Sequence, residues 1–379
     1  MRFHSCFPAA VGALAILTLA GCGDDSTSPE ADAAAIDDAD ASSDAGSDAL
    51  VEDTGSIDIS EEGSAPDAED DASDAVATDV ARDAFDGSAQ PDASDGSAEP
   101  DAVEVDAGPV IPPWPAARPG CNGHEELCDR PFDEVVFPST HNSMSNAQDD
   151  WGIPNQNLNL RSQLSDGIRG FLLDVFEDNG RLKLCHSICV IGQRDLIDAF
   201  EEFSDFLAQN PGEVISFLIE DNISAEQLAG ALDAGGLADY AIVHEPGAAW
   251  PTLGELIEAD TRLLVTTQDA GPPPEIIHNL WSLAWDTDYT YASVDDFECG
   301  RNRGQTSNAL FLLNHWLSAP ASLPEYGPVA NEYSVLMDRV ETCRSEWERL
   351  PSFLAVDYYD AGDLFEVVDV LNGVAPARD

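Results

Sequence analysis

Along residues 135–371, short apolar runs of β type alternate with segments of helical spacing, and this alternation most narrows the possible folds. The runs are 135–137, 171–176, 182–185, 214–219, 263–266, 310–313 and 353–356. Between them, Leu196, Ile197, Phe200, Phe203, Phe206 and Leu207 share one helical face that stops at Asn210-Pro211-Gly212. Ser224, with Gln227 three residues on, predicts a capping box opening a helix through Leu232. Residues 158–164, 332–349 and 363–371 read as further helices, and Asp178-Asn179-Gly180 as the turn of a hairpin. Trp281 and Trp285, at helical spacing, read as core. Apolar strands separated by helices predict an α/β fold with a parallel sheet covered on both faces. No glycine-rich phosphate loop follows the first strand, so a single TIM-type (β/α) barrel is expected rather than a doubly wound sheet.

The barrel is expected to occupy only residues 119–379. Residues 1–21 read as a signal peptide: Arg2 is basic, residues 9–19 are mostly apolar, and Leu19-Ala20-Gly21 precede Cys22. Leu19-Ala20-Gly21-Cys22 resembles a bacterial lipobox, which makes Cys22 the expected lipidation site. Residues 22–118 read as a linker of Asp, Ala, Ser and Gly. Residues 23–110 hold 28 acidic side chains against one basic, Arg82. So few large apolar groups cannot offset the entropy of ordering, and the like charges repel, so a disordered stalk is expected. The remaining folded part is itself acidic, with 45 of the 73 acidic residues and 14 of the 16 basic ones. No basic stripe serves nucleic acid, and charge alone would not hold this surface on an anionic bilayer.

Six of the eight cysteines lie beyond Cys22: Cys121, Cys128, Cys185, Cys189, Cys299 and Cys343. An even number in an exported chain predicts disulfides, and six cysteines allow 15 pairings. Proximity in sequence favours Cys121–Cys128 and Cys185–Cys189, leaving Cys299–Cys343. Zinc is set aside, because neither a CxxC pair nor a closely spaced histidine pair accompanies them.

Polar groups collect at the ends of the predicted strands: His141 and Asn142, Asp174, His186, Glu220, Asn314 and His315, and Asp357. Each alone has an ordinary structural explanation, such as a helix cap. Together they match the way barrel enzymes assemble a site from several C-terminal strand ends. Arg169 reads as a structural ion-pair partner. Lys183 is a candidate phosphate contact, and Asn314 and His315, in Asn314-His315-Trp316, are candidates to line a pocket. His124, His244 and His278 read as surface or loop residues.

The segment 137–222 resembles the X-region of phosphatidylinositol-specific phospholipases C. The resemblance rests on Thr140-His141-Asn142-Ser143, Gly167-x-Arg169 leading to Asp174, Cys185-His186-Ser187, and a strand ending in Glu220. Ala355-Val356-Asp357-Tyr358-Tyr359-x-x-Gly362-Asp363-Leu364 also looks like bacterial members. It covers most of 133–372 and is weakest between 240 and 303. The resemblance implies a phosphodiesterase that transfers phosphorus to a neighbouring hydroxyl of the head group, with His141 as base or phosphoryl-oxygen donor, His186 as acid, and Asp357 orienting an imidazole. Asn142, Asp174 and Glu220 match the calcium-dependent type, and their oxygens suit Ca²⁺. The further acid of that type, two residues before Asp174, is here Leu172.

The expectation is therefore a monomeric, calcium-assisted phosphodiesterase tethered by an N-terminal lipid to the outer membrane, at the periplasmic face or cell surface. Its substrate would be a phosphodiester lipid or a soluble head-group diester. A non-catalytic lipoprotein that binds a phosphorylated head group or glycan is the alternative class, and Leu172 is its best support. A glycosidase using Asp174 and Glu220 ranks lower because it leaves both histidines without a role.

Overall fold

The computed structural model describes residues 112–319 and 321–375. The signal segment, Cys22 and the linker up to residue 111 lie outside these residues. Among them the strands are β1 (Phe137–Thr140), β2 (Gly170–Asp178), β3 (Arg181–Leu184), β4 (Arg194–Asp195), β5 (Ile215–Asn222) and β6 (Leu263–Thr267). There follow β7 (His278–Asn279), β8 (Ala284–Thr287), β9 (Arg301–Gly304), β10 (Leu310–His315) and β11 (Phe353–Val356). They pair in the order β7-β6-β5-β2-β1-β11-β10-β8-β9. Every pairing from β7 to β8 on that path is parallel, and β9 adds an antiparallel edge. β3 and β4 branch antiparallel from β2. The result is a TIM-type barrel whose seam, between β7 and β9, carries no backbone pairing among the described residues.

Strand alternation sorts the core into two layers. Phe353 and Ala355 of β11, Leu310 and Leu312 of β10, Leu218 of β5 and Leu264 of β6 belong to one cluster, inside the barrel. Their neighbours Leu354, Val356, Phe311, Leu313, Phe217, Ile219 and Val265 belong to the other, between sheet and helices. Phe200 and Phe203, on the helix Leu196–Gln209, meet Phe217 with ring centroids 5.5 and 4.7 Å apart. Asp195 caps that helix by accepting from Ile197 N, and Ser224 with Gln227 forms the predicted capping box on Ala225–Ala234. Asn179 and Gly180, at φ 52° and 74°, make the tight turn between β2 and β3.

Gly170 opens β2 where the chain passes close to β1. A Cβ there would lie 2.1 Å from Ser139 Oγ and 2.9 Å from Ser139 Cβ. Gly170→Ala is therefore expected to destabilise the domain by roughly 1–3 kcal/mol through overpacking, checked as a lower urea midpoint with unchanged slope.

Among the described residues the disulfides are Cys121–Cys128, Cys185–Cys189 and Cys299–Cys343, the pairing expected from proximity. The ordered domain begins earlier than residue 119. Trp114 is buried edge-on against Phe206 with the Arg161 guanidinium over its ring, and Arg118 bonds Glu213.

Two stretches depart from the sequence expectation. Trp281 and Trp285 do not share a helix, because the helix Leu280–Leu283 ends before β8, where Trp285 stacks on Phe311 at 3.9 Å. His244 and His278 are buried rather than superficial: His244 stacks on Trp250, and His278 Nε2 meets Ile242 O at 2.9 Å. His124 lies at the surface beside Asp369. Among the described residues no helix is long and apolar enough to cross a membrane.

Candidate active site

The parallel strands all deliver their C-terminal ends to one rim, and a cavity of about 110 Å³ opens there. Its floor is apolar, made by Leu172, Leu218, Leu280 and Leu312 of the barrel interior. Its walls hold His141, Asn142, Asp174, Glu220, Asn314 and Trp316.

His141 follows β1, with its N–H on Val356 O at 3.0 Å. Two buried glutamine side chains fix the turn: Gln156 donates to His141 O and Val356 O, and Gln163 donates to Ser143 O and Leu158 O. This rigid turn allows Asn142 its left-handed backbone at φ 44°, a conformation asparagine accepts more readily than most residues. His141 Nδ1 lies 2.9 Å from Asp357 Oδ1, and its ring stacks on Trp316 with centroids 3.8 Å apart. Asp357 also accepts from Asn155 Nδ2 at 3.2–3.3 Å and from Ser322 Oγ at 2.6 Å. In the tautomer that donates Nδ1–H to Asp357, Nε2 is the acceptor nitrogen of the ring.

His186 comes just after β3, inside the loop closed by Cys185–Cys189. Asn142 Nδ2 lies 3.3 Å from its Nε2 and 3.3 Å from Asn155 Oδ1. Burial lowers the pKa of His186, and His141 lowers it further, against the opposing pull of Asp357. The structure thus brings His141, His186, Asn142 and Asp357 into one hydrogen-bonded group.

Asp174 and Glu220 lie opposite each other in the β2–β5 register. Asp174 is buried, and its carboxylate accepts no hydrogen bond from a described residue. Burial pushes its pKa well up, and the neighbouring Glu220 adds to this. Asp174, Glu220 and Asn142 line the same cavity, and each carries side-chain oxygens.

Other sequence candidates fall elsewhere. His315 is not a pocket residue: it is fully buried, its Nε2 bonds Ala330 O at 2.8 Å, and burial lowers its pKa to about 3. The two-residue period of β10 sends Asn314 to the cavity and His315 to the opposite face. Asn314 donates to Asp286 Oδ2 at 3.1 Å and to Thr287 O at 2.7 Å. Lys183 does not line the cavity either; its Nζ bonds Gln193 Oε1 at 2.6 Å. Arg169 is a buried structural residue, with Nε 2.7 Å from Glu213 Oε2.

The sequence reading missed Gln268, Tyr289 and Arg303, which line the cavity, and Asp286, which anchors Arg303. Burial raises the pKa of Asp286, opposed by its bonds from Arg303 and Asn314. The polar run Arg301-Asn302-Arg303-Gly304 carries no strand signal of its own, because β9 is an exposed edge set by pairing with β8.

Comparison with known proteins identifies the family. The PI-PLC X family model (PI-PLC X 1) matches residues 127–372. A PI-PLC X domain-containing protein of Arabidopsis thaliana is 30% identical over 272 residues, covering 64% of this chain and 63% of the plant protein. PI-PLC X domain-containing protein 1 of Arthroderma benhamiae is 26% identical over 280 residues, covering 67% of this chain and 90% of the relative. An uncharacterized secreted protein of the same fungus is 26% identical over 295 residues, covering 69% of this chain and 66% of the relative. The chain thus spans a little under two thirds of the plant protein and of the secreted one. A solved phosphatidylinositol-specific phospholipase C from Staphylococcus aureus aligns at TM-score 0.45 and 14% identity, covering 65% of this chain and 94% of the enzyme. With residues 127–372 matched, the chain belongs to the PI-PLC X domain family.

Proposed function

We propose that the domain is a phosphoric diester hydrolase of phospholipase C type acting on an inositol-phosphate-like or related diester. The observation that carries this reading is the path of side chains from His186 through Asn142 and Asn155 to Asp357, which holds His141 Nδ1. A hydroxyl of the head group attacks phosphorus while His141 Nε2 takes its proton. The bond from phosphorus to the leaving alkoxide breaks, and protonated His186 delivers a proton to that oxygen, leaving a cyclic phosphate. Asp357 stabilises the imidazolium formed at His141. The lowered pKa of His186 makes its protonated form the stronger acid for this step.

Asn142, Asp174 and Glu220 would hold Ca²⁺, whose charge would face the phosphoryl oxygens. The fit rests on Asp174, a buried carboxylate beside Glu220 without a hydrogen-bond or ion-pair partner among the described residues. Asn142 has both contacts of its side chain on Nδ2, which leaves Oδ1 for a cation. Asp174→Asn is expected to weaken calcium binding at least tenfold by calorimetry; unchanged affinity would remove it from the ligand set.

The reading extends to export and lipidation at Cys22, supported by the lipobox-like segment and the disulfides, with the acidic linker as tether. Incubating the full chain with phosphatidylinositol and with glycerophosphoinositol, each with Ca²⁺ or a chelator, tests the activity. A phosphorus-containing product that depends on calcium is expected. Leu172, in the cavity floor where a liganding acid is expected, favours the binding lipoprotein as second reading. Saturable head-group binding without turnover would establish that one instead.

A further inference from the structure

The cavity needs positive charge for a phosphoryl group, and neither basic residue singled out in the sequence provides it. Arg169 is sealed against Glu213, and Lys183 is held by Gln193 away from the cavity. Among the described arginines and lysines, Arg303 is the one that lines it.

Its placement is built. Asp286, fully buried at the end of β8, receives Arg303 N at 2.8 Å on Oδ1, and Nε at 3.0 Å and Nη2 at 2.5 Å on Oδ2. Arg303 Nη1 crosses the open seam to Gln268 Oε1, just beyond β6, at 2.9 Å. Trp281 and Tyr289 flank the guanidinium at 4.4 and 5.0 Å. The rim therefore runs from Gln268 past Glu220, Asp174, His141 and Asn314 to Arg303, and the Arg303–Gln268 bond closes it where the backbone does not. Of the five guanidinium donors, these bonds leave one N–H on each terminal nitrogen without a protein acceptor among the described residues. A planar fork with two free donors, locked in place from behind, suits two oxygens of one phosphoryl group.

We propose that Arg303 is a substrate-positioning residue that grips the phosphoryl oxygens from the seam side of the cavity. The claim rests on the phosphodiesterase reading for its substrate, and the group recognised is a phosphate ester whether lipid-borne or soluble. Loss of Arg303 leaves Asp286 buried without its partner, so a charge-balanced variant belongs in the test.

Calorimetry with inorganic phosphate, on the full chain and with a chelator of divalent cations present, reads the site directly. Wild type is expected to bind saturably. Arg303→Ala and the balanced double variant Arg303→Gln/Asp286→Asn are expected to bind at least tenfold more weakly, with Arg303→Lys in between. Arg301→Ala, at an exposed site on the same strand, should match wild type, and thermal unfolding confirms that each variant folds. Absence of saturable binding to wild type, or wild-type affinity in both Arg303→Ala and the double variant, overturns the proposal. In turnover, KM should rise tenfold or more for glycerophosphoinositol and for phosphatidylinositol vesicles alike, with a smaller change in kcat. A rise confined to vesicles would mean a surface contact and also overturns it. If wild type cleaves no diester, the phosphodiesterase reading fails, while the phosphate titration still decides Arg303.

Discussion

Alanine at His186 is expected to reduce diester turnover a hundredfold or more, and alanine at His141 to do the same. Loss of a positioned acid or base typically costs 10²–10⁴ in rate. Each imidazole is half-buried on a turn held by other residues, so truncation should remove the proton-transfer group and leave the barrel standing. His141 sits over Trp316 and against Asp357, and its turn is fixed by Gln156 and Gln163 whatever the side chain. The loop of His186 is closed by Cys185–Cys189. The effect should therefore fall on kcat, with melting temperature near that of wild type. The double variant should lose much less than the product of the two single losses, because both act in one proton-transfer sequence. Initial rates on glycerophosphoinositol decide it; a loss under tenfold in either single variant would exclude that residue as acid or base.

What was legible in the sequence follows a physical division. Signals fixed by neighbours along the chain were readable: the Asn179-Gly180 turn, the Ser224 capping box, the apolar face of 196–207, and disulfide partners close in sequence. Which way a strand-end side chain points was not, because a shift of one residue exchanges the two faces of a strand. Asn314 and His315 are adjacent polar residues of one motif, yet one lines the cavity and the other is buried against Ala330 O. Arg303 was out of reach for another reason. Its strand is polar and partly exposed, and exists because β8 offers an unpaired edge to it. Its partners Asp286, on β8, and Gln268, just beyond β6, lie 17 and 35 residues away. His141, Glu220 and Asp357 stand at or near the ends of apolar runs that announce strands, while Asp174 interrupts one and His186 follows a short alternating one.

The largest stability effect is expected at the opposite end of the barrel, where Arg169 and Glu213 precede β2 and β5. Both are nearly fully buried, at 2% and 3% side-chain exposure, and meet at 2.7 Å. Arg169 Nη1 also donates to Leu164 O and Ile168 O, and Arg118 adds a second, part-exposed cation to Glu213. Removing one member strands a buried charge and the carbonyls bonded to it. Arg169→Ala should therefore cost about 3–5 kcal/mol in urea unfolding at neutral pH. A double replacement of Arg169 and Glu213 by apolar residues of similar volume should cost less than the single one, since no buried charge is left unpaired and Arg118, at 40% side-chain exposure, can turn to solvent. The pH dependence separates this from lost packing. Burial alone would raise the pKa of Glu213, but Arg169 and Arg118 hold it below the usual glutamate range. A carboxyl depressed by folding contributes stability above its unfolded pKa and loses it as pH falls through the folded one. Wild type should thus weaken on the acid side of the ordinary glutamate range, and its advantage over Glu213→Gln should shrink in that same window. An advantage that stays constant down to strongly acid pH would show that the pair acts through packing and not through charge.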